Sequence, residues 1–295
     1  MLCLDRLPWP WGEEILACGF VARTLVRPRR MREALAWASA QADQPRHRRR
    51  LAWRLCANHG RFVARSGLLG VRDPELVRRH VTIRGGERLE RGRGLILLGF
   101  HLGPTGGYLA LRASGHRVAW LGGWGATGLW ADSIGRRYGS PSDDLIFSTS
   151  GDTQERARLL HRARQIVLEG GMVFVTADGL GREMLRVPVR GGHVVLRAGW
   201  LALRRATDAR VLPVLSHLEE RTHVVSVHPP LPSLDADPAT DVERCRVTLG
   251  ELLDAYVRKF PDQCYSLAFP LAVRGATAAA PLRGDDGRRA PAPIA

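Results

Sequence analysis

His101 closes an apolar run, Leu95-Ile96-Leu97-Leu98, and is followed by Gly103, Pro104, Gly106 and Gly107. The run reads as a buried strand and the glycines as a turn, with a helix starting near Tyr108. An imidazole placed there stands at the carboxyl edge of a sheet, where open α/β folds bind ligands. In its neutral form it can take a proton from a hydroxyl or amine near neutral pH. A second apolar, β-rich run, Met172 to Ala177, delivers Asp178-Gly179 to its own carboxyl end, and Arg182 follows. Between the two runs, Arg136-Arg137 sits in a loop rich in Gly, Ser and Asp. A base, guanidinium groups and a glycine turn together suit acyl transfer onto a lipid-like or phosphate-bearing acceptor. The His would deprotonate the nucleophile. The Arg side chains would hold a phosphate or a phosphopantetheine arm through paired N–H bonds, and backbone N–H groups of the turn would bind the oxyanion. Plainer readings exist for each part. His101 could simply end a strand, Asp178-Gly179 is equally a strand-end turn, Thr105 could reach His101 or close the turn locally, and Arg182, Arg186 and Arg190 could form a solvated basic face.

The elements that must hold these groups alternate between strands and helices. Arg117 to Leu121, Met172 to Ala177, Arg210 to Ser216 and His223 to Val227 read as further strands. Helices are expected from Asp152 or Thr153 to about Glu169, and after Gly191-Gly192 with Val194, Ala198, Leu201 and Arg205 in register. A last helix runs to about Phe260, opened by the capping box Thr240-Asp241-Val242-Glu243. Alternation of this kind implies an α/β fold with a central, mostly parallel or mixed sheet flanked by helices. Residues 1–84 read as a basic, helical N-terminal extension, 85–273 as the α/β domain and 274–295 as a disordered tail. In the extension, Trp9, Trp11, Trp37 and Trp53 alternate with Arg23, Arg27, Arg29, Arg30 and Arg54. That pattern fits either a membrane-surface region or ordinary amphipathic helices packed on the domain.

The net charge is +15 and comes almost entirely from Arg, since Lys259 is the only lysine. Such a surface attracts polyanions: an anionic membrane, an acidic carrier protein or nucleic acid. No nucleic-acid motif is present, so nucleic acid is the weakest of the three. The five cysteines are scattered without a C-x-x-C, a reduced, intracellular pattern. No metal-ligand cluster is legible around His217, His223 and His228, and no bound cofactor is expected. No run is long and apolar enough to span a bilayer, so a cytoplasmic location is expected, with or without attachment to the inner face of the membrane.

Five segments fall in a recognisable order. They are Gly92 to Gly103 around His101, Arg136-Arg137-Tyr138-Gly139, Gly170 to Gly179, Ala209 to Val214, and Phe260-Pro261-Asp262-Gln263-Cys264-Tyr265. This order resembles the lysophospholipid acyltransferase superfamily, nearest its lipid A late-acyltransferase branch, over about residues 85–270. The resemblance implies an acyltransferase that uses an acyl-CoA or acyl-carrier-protein thioester as donor and a hydroxyl or amine as acceptor. It implies His101 as general base, with Gly103, Thr105, Gly106, Arg136, Arg137, Gly179 and Arg182 around the substrates. One position departs from the pattern. The family places Asp or Glu five positions after the His; here that residue is Gly106. Another acid could supply the contact, Asp178 first and then Asp132, Asp143 or Asp144. His101 could instead act alone on a more reactive acceptor, such as an amine of a secondary metabolite. The third reading is a catalytically silent protein that binds lipid or carrier protein.

Overall fold

The computed structural model describes residues 9–71, 74–90, 92, 94–104, 106–123, 145–147, 153–178, 184–220 and 222–269. Three helices lead, α1 (Trp9–Leu25), α2 (Pro28–Gln41) and α3 (Pro45–Val71), then a short α4 (Pro74–Arg79). The α/β part follows in the order β1 (Val81–Arg84), β2 (Leu95–Gly99), α5 (Gly107–Ala113), β3 (Val118–Gly123), β4 (Leu145–Phe147), α6 (Thr153–Leu168) and β5 (Met172–Thr176). It continues through β6 (Met184–Val189), β7 (Gly192–Arg197), α7 (Gly199–Thr207), β8 (Arg210–Glu219), β9 (Thr222–Val227), α8 (Pro238–Lys259) and a short α9 (Tyr265–Ala268).

Among the described residues, seven strands form one sheet in the order β1-β9-β8-β2-β5-β3-β4. All pairings are parallel except the β8–β9 hairpin. The sheet is therefore mixed and mostly parallel. Its central strand, β2, is buried at every position, which explains the unbroken apolar run: both faces are covered. Ile96 and Leu98 enter the larger core with α2, α3, α7 and α8, while Leu95 and Leu97 join Tyr108, Leu109 and Leu111 of α5 on the other face. Each such side chain contributes about 1.5–3 kcal/mol on burial, so β2 is fixed firmly and His101 leaves it from a rigid base.

Two expectations from the sequence need correction. Gly192–Arg197 is a strand, not a helix; it pairs antiparallel with Met184–Val189, and the helix begins only at Gly199. Val194 and Leu196 are buried on alternate positions, so the apolar spacing follows the period of two of a strand and not the helical period. The last helix opens one turn earlier than the capping box suggested: Asp237 is the N-cap, accepting from the Thr240 backbone N–H at 2.8 Å, with Pro238 in the first turn. In addition, Val81–Arg84, inside the stretch read as N-terminal extension, is an edge strand of the main sheet beside β9.

The N-terminal helices pack onto this core. Gly60 of α3 lies so close to the α1 backbone at Leu16 and Ala17 that a Cβ would collide with it. Glu13 is clamped by the buried Arg65, and Glu14 by Arg61 at 2.8 Å. Trp37 donates to the Pro261 carbonyl at 2.8 Å, Asn58 donates to that of Asp262 at 3.0 Å, and Arg54 pairs with the Asp262 carboxylate at 2.6 Å. Among the described residues, no helix is long and apolar enough to cross a membrane.

Candidate active site

The register of the sheet builds the site. Gly99 is the partner of Thr176 across β2 and β5. Two residues beyond these paired positions stand His101 and Asp178. Neighbouring strands lie about 4.8 Å apart, so both side chains rise from the same edge within reach of each other. The strand ends are tied to keep them there: the Ala177 N–H donates to Gly99 O at 2.8 Å, and the Arg197 N–H of β7 donates to Ala177 O at 2.6 Å. The hairpin that the sequence did not reveal thus braces the residue before Asp178.

Asp178 grips His101 at two points. Its Oδ1 lies 2.9 Å from His101 Nδ1, and its Oδ2 accepts from the His101 backbone N–H at 2.9 Å. A carboxylate only accepts, so the neutral ring carries its proton on Nδ1 and leaves the Nε2 lone pair free. The imidazole remains 39% exposed and the carboxylate 12%, so the ring is open to a reactant while its partner is shielded. Burial in the surrounding protein pulls the His101 pKa down, but the Asp178 charge and then its hydrogen bond more than offset that, and the net shift is upward.

The turn after His101 is constrained by sterics. Gly106 has φ +124°, a backbone that L side chains rarely adopt. A carboxylate side chain at this position would be strained by about 1–3 kcal/mol. Gly103 is buried beneath the hydrogen bond from Tyr256 Oη to the Ser216 carbonyl, 2.6 Å long; a Cβ at 103 would strike both oxygens. Gly107 lies over Ser216 Oγ, which a Cβ would meet at 3.0 Å. Helix α8 and strand β8 therefore shape the turn from below.

Of the residues expected at the site, the structure describes His101, Asp178, Gly103, Gly106 and Gly107 near one another. Thr105, Arg136, Arg137, Gly179 and Arg182 lie outside the described residues, as do Asp132, Asp143 and Asp144. Tyr256 and Ser216 were not singled out from the sequence. Tyr256 shares the helical spacing of Leu249 and Leu253 and reads as core, which it also is. Tyr265, at the start of α9, stacks on His59 with ring centroids 4.6 Å apart. Burial and then the Asp178 charge push its phenol pKa up. His59 itself, enclosed by Phe20, Tyr265 and Phe269, is pulled down to about 4, first by burial and then by Arg30 and Arg23. Cys56 and Cys264 are buried thiols pushed up by burial, the opposite of what a nucleophilic thiolate requires. His217 and His223 are buried within the fold, away from solvent.

No protein-family model matches the chain, and no curated protein matches it. Among solved structures, the chain is similar to the 1-acyl-sn-glycerophosphate acyltransferase PlsC from Thermotoga maritima. The two share 14% identity with a TM-score of 0.40, over 69% of this chain and 81% of that one.

Proposed function

We propose that the protein is an acyltransferase that moves an acyl group from a thioester, carried by CoA or acyl carrier protein, to a hydroxyl or amine of a lipid-like or secondary-metabolite acceptor. One observation carries the reading: an imidazole at the carboxyl edge of the sheet, held through Nδ1 by a shielded carboxylate while its ring stays 39% exposed. The order of the five sequence segments and the glycine turn beside His101 support it.

In this reading His101 Nε2 removes the acceptor proton as the oxygen or nitrogen attacks the thioester carbonyl carbon. The new C–O or C–N bond forms while the carbonyl π pair moves onto oxygen. Backbone N–H groups between Gly103 and Gly107 stabilise that oxyanion. As the oxyanion collapses, the C–S bond breaks and the sulfur leaves with its electron pair. The imidazolium returns the proton to it, giving a free thiol and an ester or amide. Asp178 holds the ring in the productive tautomer and stabilises its charged form. Arg136, Arg137 and Arg182 are assigned to the acidic groups of donor or acceptor.

The test is transfer of a labelled acyl group from acyl carrier protein or CoA to a panel of hydroxyl and amine acceptors. Wild type should turn over, and His101→Ala should lose roughly 10³-fold or more. Equal transfer by the two proteins would reject His101 as base, and no transfer from any thioester would reject the reaction class.

A further inference from the structure

At the corner between α1 and α2 the chain gathers cations in a concavity. A pocket of about 450 Å³ is lined by Val26, Arg27, Arg29, Arg30, Glu33 and Phe269, among others. Arg30 lies over the Phe269 ring, 5.6 Å from its centroid, and Arg23 similarly over Phe20 at 5.9 Å. Among the described residues, the one carboxylate lining the pocket, Glu33, is engaged by Arg29 at 3.1 Å. Burial, then repulsion from Arg23 and Arg27, depress the Arg30 pKa. Holding like charges together in a partly dry recess is unfavourable; a bound anion would reverse the sign of that term.

The surroundings narrow the class of anion. Leu25 and Val26, beside the pocket, are 55% and 77% exposed. On α1, Leu25 and the exposed Trp11 and Ile15 fall within an arc of about 80°, counted at 3.6 residues per turn, and Val26 follows directly after the helix. The two acids of α1, Glu13 and Glu14, are both taken up by α3. The helix thus exposes an apolar stripe that ends at a cluster of guanidinium groups, the arrangement expected of a surface that meets acyl chains and phosphate together. Guanidinium groups bind phosphate oxygens through paired N–H bonds.

We propose that this corner is a binding site for the phosphate of an anionic amphiphile presented by a lipid surface, separate from the His101–Asp178 pair. It rests on the residues of α1 and α2 and on Phe269, and it holds whether or not the protein transfers acyl groups.

The experiment is sedimentation with phosphatidylglycerol or phosphatidylcholine vesicles, together with thermal unfolding in inorganic phosphate. Wild type and His101→Ala should both partition at least tenfold more onto phosphatidylglycerol. Arg27→Ala/Arg30→Ala should lose that preference and unfold no earlier than wild type, because repulsion is removed. Val26→Asp should weaken vesicle binding while keeping any stabilisation by phosphate. The control Arg49→Ala/Arg50→Ala removes the same charge from exposed positions of α3. Equal losses in the control and the Arg27/Arg30 variant would overturn the site in favour of diffuse charge attraction. Stabilisation by inorganic phosphate without any vesicle preference would overturn the lipid assignment. Unchanged partitioning of Arg27→Ala/Arg30→Ala would overturn both.

Discussion

Two His–carboxylate pairs stand among the described residues, and they behave oppositely. His101 meets Asp178 across two strands, 77 residues apart, with its ring 39% exposed. His217 meets Glu219 along one strand, two residues apart, at 3.0 Å, with its ring 5% exposed and stacked on Phe260. Asp178 gives both oxygens to His101. Glu219 is shared with Arg84, whose guanidinium engages both its oxygens; that hydrogen bond first, then the one from His217, lowers its pKa to about 2. The His101 pKa is raised because the Asp178 charge overcomes burial, whereas burial keeps the His217 pKa down despite Glu219. A carboxylate beside an imidazole is therefore not sufficient for a base. What separates the two pairs is the exposure of the ring, 39% for His101 against 5% for His217, and the guanidinium of Arg84 on Glu219.

The largest expected contrast is between His101→Ala and His217→Ala. The first should cut acyl transfer roughly 10³-fold or more, and the second should leave the rate per folded molecule within about twofold. A comparable loss in His217→Ala would erase the distinction drawn between the pairs. Next is Asp178→Asn. Loss of the charge that favours imidazolium should lower kcat by about 10²–10⁴ and move the acid limb of the kcat/KM profile to lower pH. An unmoved limb would show that Asp178 does not set the basicity of His101. A third expectation concerns position 106. Gly106→Glu should destabilise the fold by about 1–3 kcal/mol at its positive φ. In an Asp178→Asn background it should not restore activity. Denaturant melts and rates of the double variant test this, and a rescue would mean that the turn can relax to accept a side chain.

The smallest effect lies in how stability varies with pH. For His101 the raised pKa means that the folded state binds the proton more tightly. Its contribution is fully present below about 6.5, the ordinary value, and is lost as pH rises through the folded pKa. For His217 the lowered pKa gives the reverse: stability falls as pH drops below about 6.5. Replacing His101 with Gln should make the melting temperature fall less as pH rises from about 6 to 9. Replacing His217 with Asn should reduce the loss toward pH 5. Slopes of the same sign for the two sites would contradict the comparison.

Much of this was readable in the sequence because it is local. Four apolar residues in Leu95–Leu98 specify a buried strand, and glycines at 103, 106 and 107 specify a turn. His101 and Asp178 could each be placed at a strand end from their own flanks alone. The hairpin of Met184–Val189 and Gly192–Arg197 was not legible, because a short apolar spacing fits either period until a partner strand is known. Nor were Tyr256 and Ser216, whose contact with Gly103 joins positions more than a hundred residues apart. What only the tertiary structure decided is that His101 and Asp178 touch. That follows from the pairing of Gly99 with Thr176, and a shift of two residues would carry the carboxylate about 6–7 Å along the strand. The sequence by itself determined which chemical groups reach the edge of the sheet. The inter-strand register, set by packing on both faces, determined which of them meet.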